Sequence, residues 1–208
     1  MLAYPGMTPL DLLGPLQVWS QVPGFEIQIV WKHTQAVMTD TGMAVVPTHS
    51  FEDSVESPDI IFVPGGTKAT FELTQDEETI NYLKQKAESA TWICSVCTGA
   101  LVLGAAGLLT GYKATTHWAA IDALEGFGAI PTEGRYVIDR NRATGGGVTA
   151  GIDFGLAMVA EIVDEKTAKM IQLAMEYSPQ PPFNSVSPQE ASEEIVQAVL
   201  EGFAARVA

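Results

Sequence analysis

The sequence predicts an α/β fold, a mostly parallel central sheet sandwiched by helices. Three observations predict it. "DIIFV" (59–63) and "TWICSV" (91–96) are continuous apolar runs of strand length, the pattern of strands buried on both faces. Each is followed by a helical segment, and alternating strands and helices build a parallel sheet covered on both sides. The 208 residues suffice for one full core. With no internal repeat, they predict a single domain over 1–208 that includes a proline-rich arm and C-terminal helix at 178–208.

The elements follow in order. "LAYPGM" (2–7) is the end of a strand entering a turn. "TPLDLLGPLQVWS" (8–20) predicts a helix with Thr8 at the N-cap, Pro9 at N1 and Asp11 at N3, close to a capping box. "FEIQIVW" (25–31) alternates as a strand does, and "DEETINYLKQKAES" (76–89) is helical. "TGALVLGAAGLL" (98–109) has the small-residue texture of a buried helix, and "YVIDRNRAT" (136–144) predicts a hairpin turning at Asp139 to Asn141. "GIDFGLAMVAEIV" (151–163) and "DEKTAKMIQLAMEY" (164–177) are two more helices. After the arm "SPQPPFNSVSP", the residues beyond Pro188 form an amphipathic helix that must bury Ile195, Val199 and Phe203.

Composition narrows the function. Twenty-five acids against 11 bases leave a net charge of −14, which opposes a nucleic-acid partner because phosphate binding needs a Lys/Arg surface. No apolar stretch is long enough to span a bilayer, and the first residues lack the basic and apolar regions of a signal peptide. Two cysteines without an export signal predict a reducing, cytoplasmic setting.

In sheets of this kind the reactive loops lie at the carboxyl ends of the strands. Four segments converge there: the turn before Asp11, "VPGGT" (63–67), Cys97, and "TGGGVT" (144–149). The two cysteines, Cys94 and Cys97, are three positions apart. Extended backbone would separate them by ~10 Å, beyond the reach of a disulfide. His33, His49 and His117 show no metal-ligand spacing. Cys94, inside a strand, is expected to be a packed core residue. Cys97, between a strand and Thr98-Gly99 at the start of a helix, is the cysteine counterpart of a serine nucleophile elbow. Helix N–H groups there favour thiolate. A buried cysteine at a tight turn is the plain alternative, and the converging glycine loops weigh for function.

The chain resembles the ThiJ/PfpI superfamily and, within it, the isocyanide (isonitrile) hydratases. The matching residues are "YPGMTPLDLLGP", "IFVPGGT", "SVCTGALVLGAAGLLTGYKATTHW", "GAIPTEGR", "ATGGGVTAGIDFGLAMVAE" and "QLAMEYSPQPPFN". "SVCTG" and "ATTHW" also occur in non-catalytic domains of AraC-type regulators; "TGGGVTAGIDF" and "EYSPQPPFN" are the more specific. The start departs, since the family's first strand is longer than the few residues before Tyr4. The resemblance implies a flavodoxin-like, class I glutamine amidotransferase-like sheet with a cysteine nucleophile elbow, in a homodimer. It implies hydration of isocyanides to N-substituted formamides without metal or cofactor, through a covalent cysteine thioimidate.

In that scheme Cys97 attacks the terminal carbon and Asp11, otherwise a helix-capping acid, moves the protons. A desolvated carboxyl beside a thiol should have a raised pKa. Backbone N–H groups of Thr98 and Gly66 are natural stabilisers of developing charge, and Gly146 and Val148 resemble residues lining the family's pocket. His117 is expected to be a packed residue outside the chemistry, because hydrolytic relatives carry their histidine directly after the cysteine, where this chain has Thr98. The alternatives are a glyoxalase or deglycase, whose Cys–His sequence is not visible here, and a cysteine-based redox or ligand sensor.

Overall fold

A computed structural model describes residues 1–207. In chain order the elements are α1 (Pro9–Trp19), β1 (Val30–Trp31), β2 (Val37–Met38), β3 (Ala44–Val45), β4 (His49–Ser50), β5 (Ile60–Val63), α2 (Lys68–Leu73), α3 (Glu77–Ala87), β6 (Trp92–Val96), α4 (Gly99–Ala105), β7 (Lys113–Ala114), a 3-10 helix (Trp118–Phe127), β8 (Ile130–Pro131), β9 (Tyr136–Asp139), β10 (Arg142–Gly145), α5 (Ala150–Ile162), α6 (Glu165–Ala174) and α7 (Glu193–Val207).

The central sheet runs β5-β6-β10-β9. The first three strands are parallel, and β9 returns antiparallel through the hairpin at Arg140, whose φ is 55°. Residues 1–3 extend this sheet as a spacer: the Leu2 N–H donates to Phe62 O on one side, and the Ala3 N–H donates to Val30 O on the other. Helices α1 and α5 pack on one another, with α5 against β6 and β10, while α3 and α4 pack on β5. The expected sandwich of helices around a mostly parallel sheet is the observed one. Between sheet and α1/α5, Trp19, Phe62 and Phe154 form an aromatic cluster with ring centroids 5.5–6.2 Å apart. Such rings supply the largest apolar burial per residue.

Several expectations need correction. The opening strand forms only isolated bridges, Leu2 to Val30 and Met7 to Gly66. The alternating run 25–31 pairs as a strand only at Val30 and Trp31. Side chains take the bonds a longer ladder would need: the Ile29 N–H goes to Thr48 Oγ1, and Gln28 Oε1 accepts the Val55 N–H. Thr8 occupies the N-cap of α1 but makes no side-chain cap, its hydroxyl donating to Asp40 Oδ2 at 2.6 Å. The last helix starts at Glu193, where Ser192 Oγ accepts the Ile195 N–H. It buries none of its residues: Ile195 and Val199 stay 46% and 44% exposed, and Phe203 is half-buried. Helix α2, the 3-10 helix and the β2-β3 hairpin were not anticipated. Among the described residues no helix is long and apolar enough to cross a membrane.

Candidate active site

Cys97 directly follows β6 and has φ 55°, a left-handed conformation that costs a side-chain-bearing residue about 1–2 kcal/mol. The elbow is tied on both sides. Its N–H is shared between the Gly145 and Gly146 carbonyls at 3.0 Å each, and its own carbonyl accepts from Thr116 Oγ1 at 2.7 Å. The side chain is almost closed off, with the residue 5% exposed. Burial and the Asp11 charge push the thiol pKa well up, against the pull of the Thr98 and Val148 N–H groups. Burial and the neighbouring carboxyl thus work against the thiolate that the helix start favours.

Asp11, on the first turn of α1, is fully buried beside this thiol. Burial raises its pKa to about 7, while the Cys97 thiol and the Gly65 N–H draw it back down and Asp40 adds a small upward push. Among the described residues neither carboxyl oxygen has a hydrogen-bond partner of regular geometry, so these neighbours act through proximity. The capping-box reading fails here: the carboxyl points to the elbow and not back to Thr8. Gly65 makes the meeting possible. A Cβ there would lie 2.8 Å from Asp11 Oδ2 and from Cys97 Cβ, and 2.7 Å from the Thr98 nitrogen.

Thr98 and Gly66 lock onto each other. The Thr98 hydroxyl donates to Gly66 O at 2.6 Å, and the Gly66 N–H donates to Thr98 Oγ1 at 3.0 Å. The Gly66 N–H is thus committed, which corrects its expected role as a free donor to substrate. The backbone N–H groups of Thr98 and Val148 lie near enough to the sulfur to pull its pKa down. Gly146 acts on the backbone, its carbonyl receiving the Cys97 N–H and its own N–H donating to Arg135 O at 2.9 Å. The structure brings Cys97, Asp11, Thr98, Gly66, Gly146 and Val148 to one end of the sheet.

His117 stays packed. Its ring stacks on Trp118 and, 3° from parallel at 5.4 Å, on Phe203 of α7. Its Nδ1 accepts the Ala119 N–H, and burial lowers its pKa. Cys94 is fully buried, in register between Phe62 and Ala143. In-register neighbours share a sheet face, which puts it under the aromatic cluster, and burial pushes its thiol up. Both cysteines are free, and no metal-binding group of three or more His, Cys, Asp or Glu side chains occurs among the described residues. A cleft of about 680 Å³, lined by Phe25, Ile27, Tyr82 and Trp92, shares no residue with the site. The sequence reading missed Thr116, Tyr4 and Thr70. Thr116 was signalled by its place beside His117 at the carboxyl edge and Tyr4 by opening the "YPGMTPLDLLGP" motif, whereas Thr70 had no local signal.

Residues 1–161 match the model of the DJ-1/PfpI family. Isonitrile hydratase of Pseudomonas putida is 47% identical over 195 residues, covering 94% of this chain and 85% of that protein. The crystal structure of a THiJ/PfpI family protein from Pseudomonas syringae superposes with a TM-score of 0.97 at 49% identity, covering 100% of this chain and 86% of that one. The HTH-type transcriptional regulator GbdR of Pseudomonas aeruginosa is 32% identical over 152 residues, which are 70% of this chain and 40% of the regulator. On its motifs, its fold and these likenesses, the chain belongs to the DJ-1/PfpI family.

Proposed function

We propose that this protein is an enzyme that hydrates isocyanides to N-substituted formamides, with Cys97 as nucleophile and Asp11 as proton carrier. The observation that carries the reading is the buried Asp11–Cys97 pair, carboxyl and thiol side chain meeting over Gly65, with burial raising both groups. It stands in a chain 47% identical to an isonitrile hydratase. A carboxyl titrating near neutrality can both take and return a proton there.

The reaction balances around that pair. The Asp11 carboxylate takes the thiol proton as sulfur bonds to the terminal isocyanide carbon. Asp11 then returns the proton to that carbon, leaving a neutral thioimidate on Cys97. Water adds across the C=N bond, its hydroxyl to carbon and its proton, through Asp11, to nitrogen. The C–S bond breaks, the hydroxyl proton returns to sulfur, and the formamide departs. The Thr98 and Val148 N–H groups stabilise negative charge on sulfur as it forms and as it leaves. The Thr98 hydroxyl, Gly66 and Gly146 hold the frame. An apolar R group of either aryl or alkyl type fits this chemistry, which touches only the isocyanide carbon and nitrogen. Formamide production from one simple aryl and one simple alkyl isocyanide tests the reading, and absence of formamide from both overturns it.

The same reading includes a homodimer in the cytoplasm. Two free cysteines fit a reducing compartment. Phe183, Val186, Ile195 and Val199 are exposed on the arm and α7, apolar surface of the kind a second copy would cover. Light scattering at micromolar concentration should give twice the chain mass; a monomer throughout contradicts the dimer.

A further inference from the structure

Behind the elbow lies a buried run of hydroxyls that the reaction scheme does not use. Tyr4, Thr70 and Thr98 are 1%, 0% and 0% exposed. Tyr4 Oη lies 3.0 Å from Pro64 O and 2.9 Å from Thr70 Oγ1; Thr70 Oγ1 lies 3.0 Å from Thr98 Oγ1; Thr98 Oγ1 lies 2.6 Å from Gly66 O. A hydroxyl has one proton, and a carbonyl oxygen only accepts. The Thr98 proton therefore goes to Gly66 O. Thr70 must then donate to Thr98. Three protons thus serve four contacts, and the Tyr4 proton is divided between Pro64 O and Thr70 Oγ1.

This chain ties three separate parts of the molecule: the opening segment through Tyr4, α2 through Thr70, and the elbow through Thr98. Both carbonyls it touches flank Gly65, the residue over which Asp11 and Cys97 meet. The loop and elbow are in tight contact, so a shift of Gly66 moves Gly65 against Asp11 Oδ2 and the Thr98 nitrogen. Buried hydroxyl networks of this kind define a unique geometry when every member is satisfied.

We propose that Thr70, held by Tyr4, is a positioning residue of the active site: its hydroxyl pins the Thr98 side chain on Gly66 and thereby aims the Thr98 N–H at the Cys97 sulfur. The inference rests on Cys97 being the working nucleophile and goes beyond it by assigning two residues outside the reacting shell. Because Thr70 acts through Thr98, losing both hydroxyls should do no more than losing the Thr98 hydroxyl alone.

The test is the pH dependence of Cys97 alkylation by iodoacetamide in the full chain, followed by mass on the peptide that contains Cys97. Thr70→Val should slow alkylation at neutral pH by about fivefold, the scale of one lost hydrogen bond, and move the midpoint upward. Thr70→Ser, which keeps the hydroxyl, should restore the wild-type profile. Thr70→Val combined with Thr98→Val should match Thr98→Val alone, the non-additivity of coupled residues. A wild-type profile in Thr70→Val, a Thr70→Ser variant as slow as Thr70→Val, or additive effects in the double variant overturns the proposal. Should Thr70→Val fail to fold, Tyr4→Phe carries the same test, with a smaller upward shift expected and an unchanged profile contradicting it. Alkylation needs no isocyanide, so a shifted profile without formamide production overturns the proposed reaction and leaves the positioning role standing.

Discussion

Asp11 and Cys97 act on each other in opposite directions. The Asp11 charge adds to burial in pushing the Cys97 thiol up, while that thiol pulls Asp11 down from where burial alone would put it. The two groups therefore titrate as a unit, and in the proposed reaction proton transfer between them accompanies attack on the substrate.

Turnover at low substrate should therefore rise with pH through a midpoint near 7, where Asp11 ionises. Asp11→Asn keeps the shape and removes the proton carrier. It should lower turnover by roughly 10²–10⁴-fold, the usual contribution of a positioned acid–base group, and abolish that limb. The pH–rate profiles of the two proteins decide the matter, and near wild-type turnover in Asp11→Asn would leave Asp11 a structural residue.

Stability carries the same signature. A carboxyl whose folded pKa lies near 7, above the ordinary 3.8, binds its proton more tightly in the folded state. Between those values the unfolded chain ionises first, so this group's contribution is present below about pH 4 and lost as pH rises through 7. The full loss is on the order of 4 kcal/mol. Denaturant titrations at pH 4.5 and 8 should show this slope in the wild type and its reduction in Asp11→Asn. Parallel pH dependence in both proteins contradicts the buried pair.

Gly65→Ala tests the contact itself. The added methyl would meet Asp11 Oδ2, Cys97 Cβ and the Thr98 nitrogen at 2.7–2.8 Å, two of them on the elbow and none a flexible side-chain end with room to swing. Overpacking of this sort costs about 1–3 kcal/mol, and the site should lose most of its turnover while the chain stays folded. Circular dichroism alongside the formamide assay separates the two effects, and a fully active Gly65→Ala variant would show that carboxyl and thiol do not need this approach.

What could be read in the sequence depended on the range of the signal. The apolar runs leading into Val63 and Val96 announced parallel core strands because strands buried on both faces need continuous apolar residues. The same runs placed Gly65, Gly66 and Cys97 at one edge. The hairpin at Arg140 was legible from its turn residues. The Thr8 cap was not, because its hydroxyl is taken by Asp40, 32 residues away. The electrostatic balance at Cys97 was only half legible for a related reason: local position favours thiolate, whereas burial and Asp11, both set by tertiary packing, push the thiol up. Thr70 lies in no motif, and Tyr4 opens one without any sign of a partner; only the fold puts their hydroxyls in line with Thr98. Helix α7 was correctly placed, but Ile195 and Val199 are not buried within the chain, since amphipathicity identifies a face without naming its partner.

The central claim is that Cys97, and not Cys94, takes the isocyanide carbon. Acid-quenching the enzyme during turnover and sequencing the modified peptide by fragmentation, which separates Cys94 from Cys97, tests this most directly. The account predicts a mass increase equal to one whole isocyanide on the peptide at Cys97, absent from Cys97→Ala, which should form no formamide. Cys94→Ala should keep both adduct and turnover and lose only about 1–3 kcal/mol of stability, as a small buried deletion does. Formamide production by Cys97→Ala, or an adduct found on Cys94, would contradict the account.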